Sequence, residues 1–132
     1  MNKVGNSPVV AFVATRDGAK ARRFYEEILG LALMSDEPWA IVFEAGGTTI
    51  RIQKVESFKP HPFTALGWNV PDIDATVDAL AAQRVRFERF PGMDQDDRGI
   101  WASPSGARVA WFKDPDGNVL SLTQLSDEEV RA

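Results

Sequence analysis

Apolar and β-branched residues run without a break from Val9 to Val13, a length and composition that predict a strand. Beyond Asp17 and Gly18 the period changes: Ala21, Phe24, Tyr25, Ile28 and Leu29 recur at helical spacing, which predicts a helix over Gly18 to Leu29. Asp17 can accept hydrogen bonds from the free amides of its first turn, and Gly30 can end it in the left-handed region at little cost. Strand-like runs follow at Leu31 to Met34, Trp39 to Ala45 and Thr48 to Val55, with Gly46 and Gly47 turning the last pair. Trp39 to Ala45 is apolar on both faces, so its pattern leaves open whether Phe43 or Glu44 faces inward.

Two prolines flank His61 in the stretch Ser57 to Pro62, the pattern of an extended connector. The order then restarts. Thr64 to Val70 predicts a strand; Asp72 or Asp74 caps a helix whose stripe is Ile73, Val77, Leu80 and Ala81, reaching about Gln83. Val85 to Phe90, Gly99 to Ser103 and Arg108 to Lys113 are expected strands, and Pro104, Ser105 and Gly106 a turn. Asp114-Pro115-Asp116-Gly117 suits a type I turn, since aspartate caps its opening, proline presets φ and glycine accepts the positive φ that leaves it. In the closing strand Leu120 and Leu122 alternate with Ser121 and Thr123, so one face meets a core and the other a more polar space. Thr15-Arg16-Asp17 and Val70-Pro71-Asp72 mark the same place in two βαβββ modules, an internal repeat of element order.

The expected fold is therefore α+β. It forms one domain over residues 1–132, with modules at 8–56 and 64–124, a connector at 57–63 and a tail at 125–132. A net charge of −4, from 15 basic and 19 acidic residues scattered along the chain, gives no positive stripe for a phosphate backbone, which argues against nucleic acid as a partner. The absence of cysteine removes disulfides, thiolate catalysis and sulfur-ligated zinc together. The apolar run up to Ala14 is too short for a membrane span or signal peptide, so neither is expected and a cytoplasmic location is the default.

Two motifs carry a resemblance. Phe24-Tyr25-Glu26-Glu27-Ile28-Leu29-Gly30-Leu31 looks like the first-helix signature, and Phe112-Lys113-Asp114-Pro115-Asp116-Gly117-Asn118 the closing turn, of the vicinal oxygen chelate superfamily. That group includes glyoxalase I, extradiol dioxygenases and bleomycin resistance proteins. The resemblance covers about Pro8 to Gln124 and implies a curled mixed sheet around a cupped cavity, with helices outside. It also implies a divalent metal in the cup, held near the start of the first strand of each module and on the last strand. Those places fall here at Val10, Ala65, Ser121 and Arg51, or at Gln53 if the register slips. Two alkyl side chains, a hydroxyl and a fixed cation do not ligate a hard divalent ion. We therefore expect no metal and no other cofactor.

Other routes to chemistry are weaker. His61 is the only histidine and reads as a surface residue. Asp94 to Gly99 and Asp114 to Asn118 lack the ligand pattern of a calcium loop and read as turns. Gly46-Gly47 is not followed by the Lys-Ser/Thr of a phosphate cradle, and no serine stands on a nucleophile elbow.

With Val10 and Ala65 facing the cup, strand alternation adds Phe12, Gly67 and Asn69, turns Trp68 toward a helix, and brings in Thr49, Arg51 and Gln53, with Ser121 and Thr123 from the closing strand. An apolar hollow with one arginine and a few amides and hydroxyls suits a small-molecule pocket. The expected function is metal-free binding of a small aromatic or anionic molecule, with Arg51 as charge anchor. The alternatives are a glyoxalase-like lyase or isomerase, using a displaced metal or Arg51, Glu44 and Ser121, and a protein that sequesters a drug or toxin. A homodimer is compatible with each.

Overall fold

The structure is a computed structural model and describes residues 3–127, so the expected tail lies outside the described residues from 128 onward. The chain divides into two compact units, Met1–Lys59 and Pro60–Ala132, and each has the order βαβββ.

In the first unit a 3₁₀ turn at Val4–Asn6 precedes β1 (Val10–Thr15), α1 (Gly18–Arg23), β2 (Ala32–Asp36), β3 (Ala40–Ala45) and β4 (Thr48–Lys54). The sheet order is β1-β4-β3-β2, with β1 and β4 parallel and the other pairs antiparallel. Asp17 caps α1 by accepting the Lys20 amide at 3.2 Å. The helix differs from the expected Gly18–Leu29: after Arg23 it widens into a π turn, Phe24–Ile28. The wider turn lets consecutive residues Phe24 and Tyr25 both enter the core, their rings edge to face at 5.3 Å. Gly30, at φ 77°, then ends the element as the Leu31 amide donates back to the Tyr25 carbonyl. The turn at Gly46 and Gly47 has positive φ at both residues, as a two-residue hairpin needs.

The second unit comprises β5 (Thr64–Asn69), α2 (Ile73–Ala82), β6 (Trp101–Ala102), β7 (Arg108–Lys113) and β8 (Val119–Gln124), in the order β5-β8-β7-β6. Asp72, rather than Asp74, caps α2 by accepting the Ala75 amide. At the far end the Val85 amide reaches the Leu80 carbonyl and the Arg84 amide that of Ala81, a double closure in which Arg84 takes the left-handed place usually given to glycine, at φ 69°.

The strand expected at Val85 to Phe90 does not form. Phe87 makes one isolated bridge to Phe112, the Glu88 amide donates to the Trp111 carbonyl at 2.8 Å, and from there a side chain replaces a strand partner. The Gln95 amide donates to the carbonyls of Glu88 and Gly99 and accepts the Phe90 amide at 2.8 Å, so the segment is satisfied without a ladder. Its loss leaves three strands after α2, the same count as in the first unit.

One face of each sheet is closed by its helix. Val13, Ile41, Phe43, Ile50 and Ile52 are buried on the α1 side, where Tyr25 meets Phe43 at 6.0 Å between ring centroids. In the second unit Ala110, Phe112, Leu120 and Leu122 are buried on the side of Ile73, Val77 and Leu80 of α2. Arg108 marks that side by its two-pronged pairing with Asp74 at 2.6 and 2.9 Å. Pairing of Trp68 with Leu122 puts that tryptophan on the helix side.

Candidate functional site

Register fixes what lies on the face away from α1. Val10 pairs with Thr49, Phe12 with Arg51 and Ala14 with Gln53 across the parallel β1–β4 pair, so Val10, Phe12, Thr49, Arg51 and Gln53 share that face. Across β3, Val42 pairs with Arg51 and Glu44 with Thr49, which resolves the open register of that strand: Phe43 belongs to the core and Glu44 to the far face. Exposure agrees, with Phe12 at 53% and Val10 at 42% exposed while Val13 is at 6%.

Arg51 is flanked by Phe12 on one side and Val42 on the other, and among the described residues its guanidinium has no ion pair or side-chain hydrogen bond. Glu44 differs. Its Oε1 accepts the Gly47 amide at 2.6 Å, so the carboxylate closes the β3–β4 hairpin.

On the second sheet Gly67 pairs with Ser121 and Asn69 with Thr123, which places these four on the face away from α2. Exposure along β5 alternates from Ala65 to Asn69, with Ala65, Gly67 and Asn69 the more exposed. A register shift between Thr64 and Leu66 leaves Ala65 without a partner, and Thr64 takes the place beside Val119. Ser121 is 8% exposed and sits against Gly67.

The same register adds residues to which the sequence reading gives no face. Trp111 pairs with Ser121, and Val109 with both Thr123 and Trp101, so Trp111 lies beside the closing strand and Trp101 one strand further out on the same face. Trp111 donates from Nε1 to Thr64 Oγ1 at 3.2 Å, stands edge to face with Phe90 at 5.4 Å, and lies 6.2 Å from the Trp101 ring. Here the chain forms a cleft of about 240 Å³. The signal was present in the sequence: with the turn at Asp114 to Gly117 known, counting outward pairs Lys113 with Val119 and therefore Trp111 with Ser121.

The loops considered for calcium are occupied by their own backbone. Asp114 Oδ1 accepts the amides of Asp116 and Asn118, and Oδ2 accepts the Asn118 side chain at 2.8 Å. Asp96 Oδ1 accepts the amides of Arg98 and Ile100. His61 is exposed and stacks on Phe63 at 4.9 Å.

The residues at the four places where the resemblance implies metal ligands do not fit a divalent ion: Val10 and Ala65 offer no donor, Arg51 is a cation, and Ser121 supplies one neutral hydroxyl. No cluster of three or more His, Cys, Asp or Glu side chains able to hold an ion occurs among the described residues. No described helix is long and apolar enough to cross a membrane.

Comparison with known proteins agrees with this architecture. The family model of the Glyoxalase/Bleomycin resistance protein/Dioxygenase superfamily matches residues 7–122. The uncharacterized protein YraH of Bacillus subtilis is 28% identical over 124 residues, covering 83% of this chain and 91% of YraH. The fosfomycin resistance protein FosX of Listeria monocytogenes superposes with a TM-score of 0.74 at 16% identity, covering 94% of this chain and 97% of FosX. TnmS3, an antibiotic binding protein from Streptomyces sp. CB03234, gives 0.70 at 23% identity over 95% of this chain and all of its own. At these identities both structures speak for the fold alone.

Proposed function

From the premise that this chain belongs to the Glyoxalase/Bleomycin resistance protein/Dioxygenase superfamily, we propose that it binds a small aromatic or anionic molecule and needs no divalent ion to do so. Arg51 is the charge anchor. The observation that carries this reading is a guanidinium set between Phe12 and Val42 on the sheet face away from the helix, with no acidic partner among the described residues. Such an arrangement offers fork-shaped donors to a carboxylate or phosphate and apolar contact to the body of the same molecule. The donor chemistry of Val10, Ala65 and Ser121 supports the metal-free part. The fold shared with an antibiotic binding protein favours sequestration as the use of that binding. The reading also holds that two copies pair in the cytoplasm; the exposed Val9, Val10 and Phe12 on and beside the edge strand β1 support pairing, and the cysteine-free sequence suits a reducing compartment.

Titration calorimetry with benzoate and phenyl phosphate against wild type and Arg51→Ala tests the anchor. Loss of a charged hydrogen-bonded contact is expected to weaken binding roughly tenfold or more. Equal affinities would remove Arg51 from the site. Elemental analysis of protein purified without chelator tests the other half: stoichiometric nickel, zinc, iron or manganese would overturn the metal-free reading.

A further inference from the structure

We propose that the cleft of the second unit, lined by Phe63, Thr64, Phe90, Met93, Trp111 and Val119, binds an uncharged planar aromatic ring system. The cleft is lined by residues of the second unit, whereas Arg51 belongs to the first, and different variants read the two.

Four observations lead there. First, the volume of about 240 Å³ lies just below the range of about 300–1,000 Å³ usual for small-molecule sites, so it suits one ring or a fused pair rather than a large ligand. Second, the lining carries no charged side chain, so a charged guest would find no partner of opposite sign there.

Third, the aromatic wall is held in advance. Trp111 is fixed by its bond to Thr64 and by the perpendicular ring of Phe90, whose own amide is held by the Gln95 side chain. A wall fixed in this way loses little rotamer freedom when a ring settles on it. Fourth, Phe63 is 61% exposed although it is a large apolar side chain, and its ring is backed by His61 in a near-parallel stack at 11°. Exposure of that kind beside a cleft marks apolar surface that a ligand can cover. Thr64 adds direction: its Oγ1 accepts from Trp111, which leaves its own proton to donate to an oxygen on the guest ring.

The test uses chromone, a neutral fused ring bearing a carbonyl, with 1-decalone as its saturated counterpart and 2-naphthoate as a charged ring. Nitrogen-15 spectra of the full chain follow the indole N–H of Trp111, assigned through Trp111→Phe. Chromone is expected to shift that resonance saturably, 1-decalone and 2-naphthoate to bind at least fivefold more weakly, and Phe63→Ala to weaken chromone at least fivefold. Since Phe63 is largely exposed, its truncation leaves the fold intact, and calorimetry on that variant gives an answer even if Trp111→Phe does not fold. The proposal is overturned by no saturable shift, by equal binding of the saturated ketone, or by unchanged affinity in Phe63→Ala. Benzoate against Arg51→Ala reads the anion site and chromone against Phe63→Ala reads the cleft, so failure here and failure of the anion site are told apart.

Discussion

A Cβ on Gly67 would fall on Ser121 Oγ, its neighbour across the parallel β5–β8 pair. The serine therefore occupies the space a side chain on β5 would need, and glycine is required at that position by close approach rather than by φ. Gly67→Ala is expected to cost about 1–3 kcal/mol, the usual penalty for overpacking. Ser121→Ala removes the obstructing oxygen, and the Ser121 Cβ stands at an ordinary 3.7 Å from the added carbon. Denaturant unfolding of both single variants and the double variant should show that most of the Gly67→Ala cost vanishes when Ser121 is alanine. Additive effects would mean that the contact is not the cause.

Acid sensitivity is expected from two carboxylates. The Arg108 guanidinium holds the Asp74 carboxyl below its ordinary range, and the Lys54 ammonium, with Arg22, does the same for Asp36. A depressed folded-state pKa means that the unfolded chain takes up protons first. The stabilisation is thus complete above the ordinary aspartate value, about 3.9, and is lost as pH falls through the lower folded value. Thermal unfolding of wild type, Asp74→Asn and Asp36→Asn should show each variant less stable at pH 6, with the gap closing toward pH 2. A gap that stays constant with pH would assign it to lost packing instead of charge.

How far the sequence could be read depended on whether an interaction was local. Asp17, Asp72 and Gly30 act within a few residues of themselves, and their caps and left-handed closure were legible. Alternation and the hairpin turns likewise put Phe12, Arg51 and Gln53 on one face. Two features were not legible, because each depends on a partner that local pattern does not name. The Val85 to Phe90 stretch has strand composition, but the Gln95 amide replaces its ladder. The register shift that leaves Ala65 without a partner on β8 does not show in alternation, because Ala65 stays exposed with Gly67 and Asn69. Trp111 was legible by a longer route, since counting the β7–β8 pairs outward from the closing turn sets it beside Ser121.

The closing turn carries the last prediction. Asp114 is 5% exposed, and both oxygens are used: Oδ1 takes the amides of Asp116 and Asn118, and Oδ2 takes the Asn118 side chain. The turn adds its own closure from the Gly117 amide to the Asp114 carbonyl at 3.0 Å, with Gly117 at φ 92°. Backbone closure survives replacement of the side chain, whereas the three side-chain bonds do not. Asp114→Ala leaves buried donors unmet and is expected to cost roughly 2–4 kcal/mol; Asp114→Asn keeps one acceptor oxygen but sets an amide against the Asn118 amide, so its cost should fall between alanine and wild type. Equilibrium unfolding of the three proteins gives the order. If Asp114→Ala matched wild type, Pro115 and Gly117 alone would be holding the hairpin, and the register that sets Trp111 beside Ser121 would owe nothing to the aspartate.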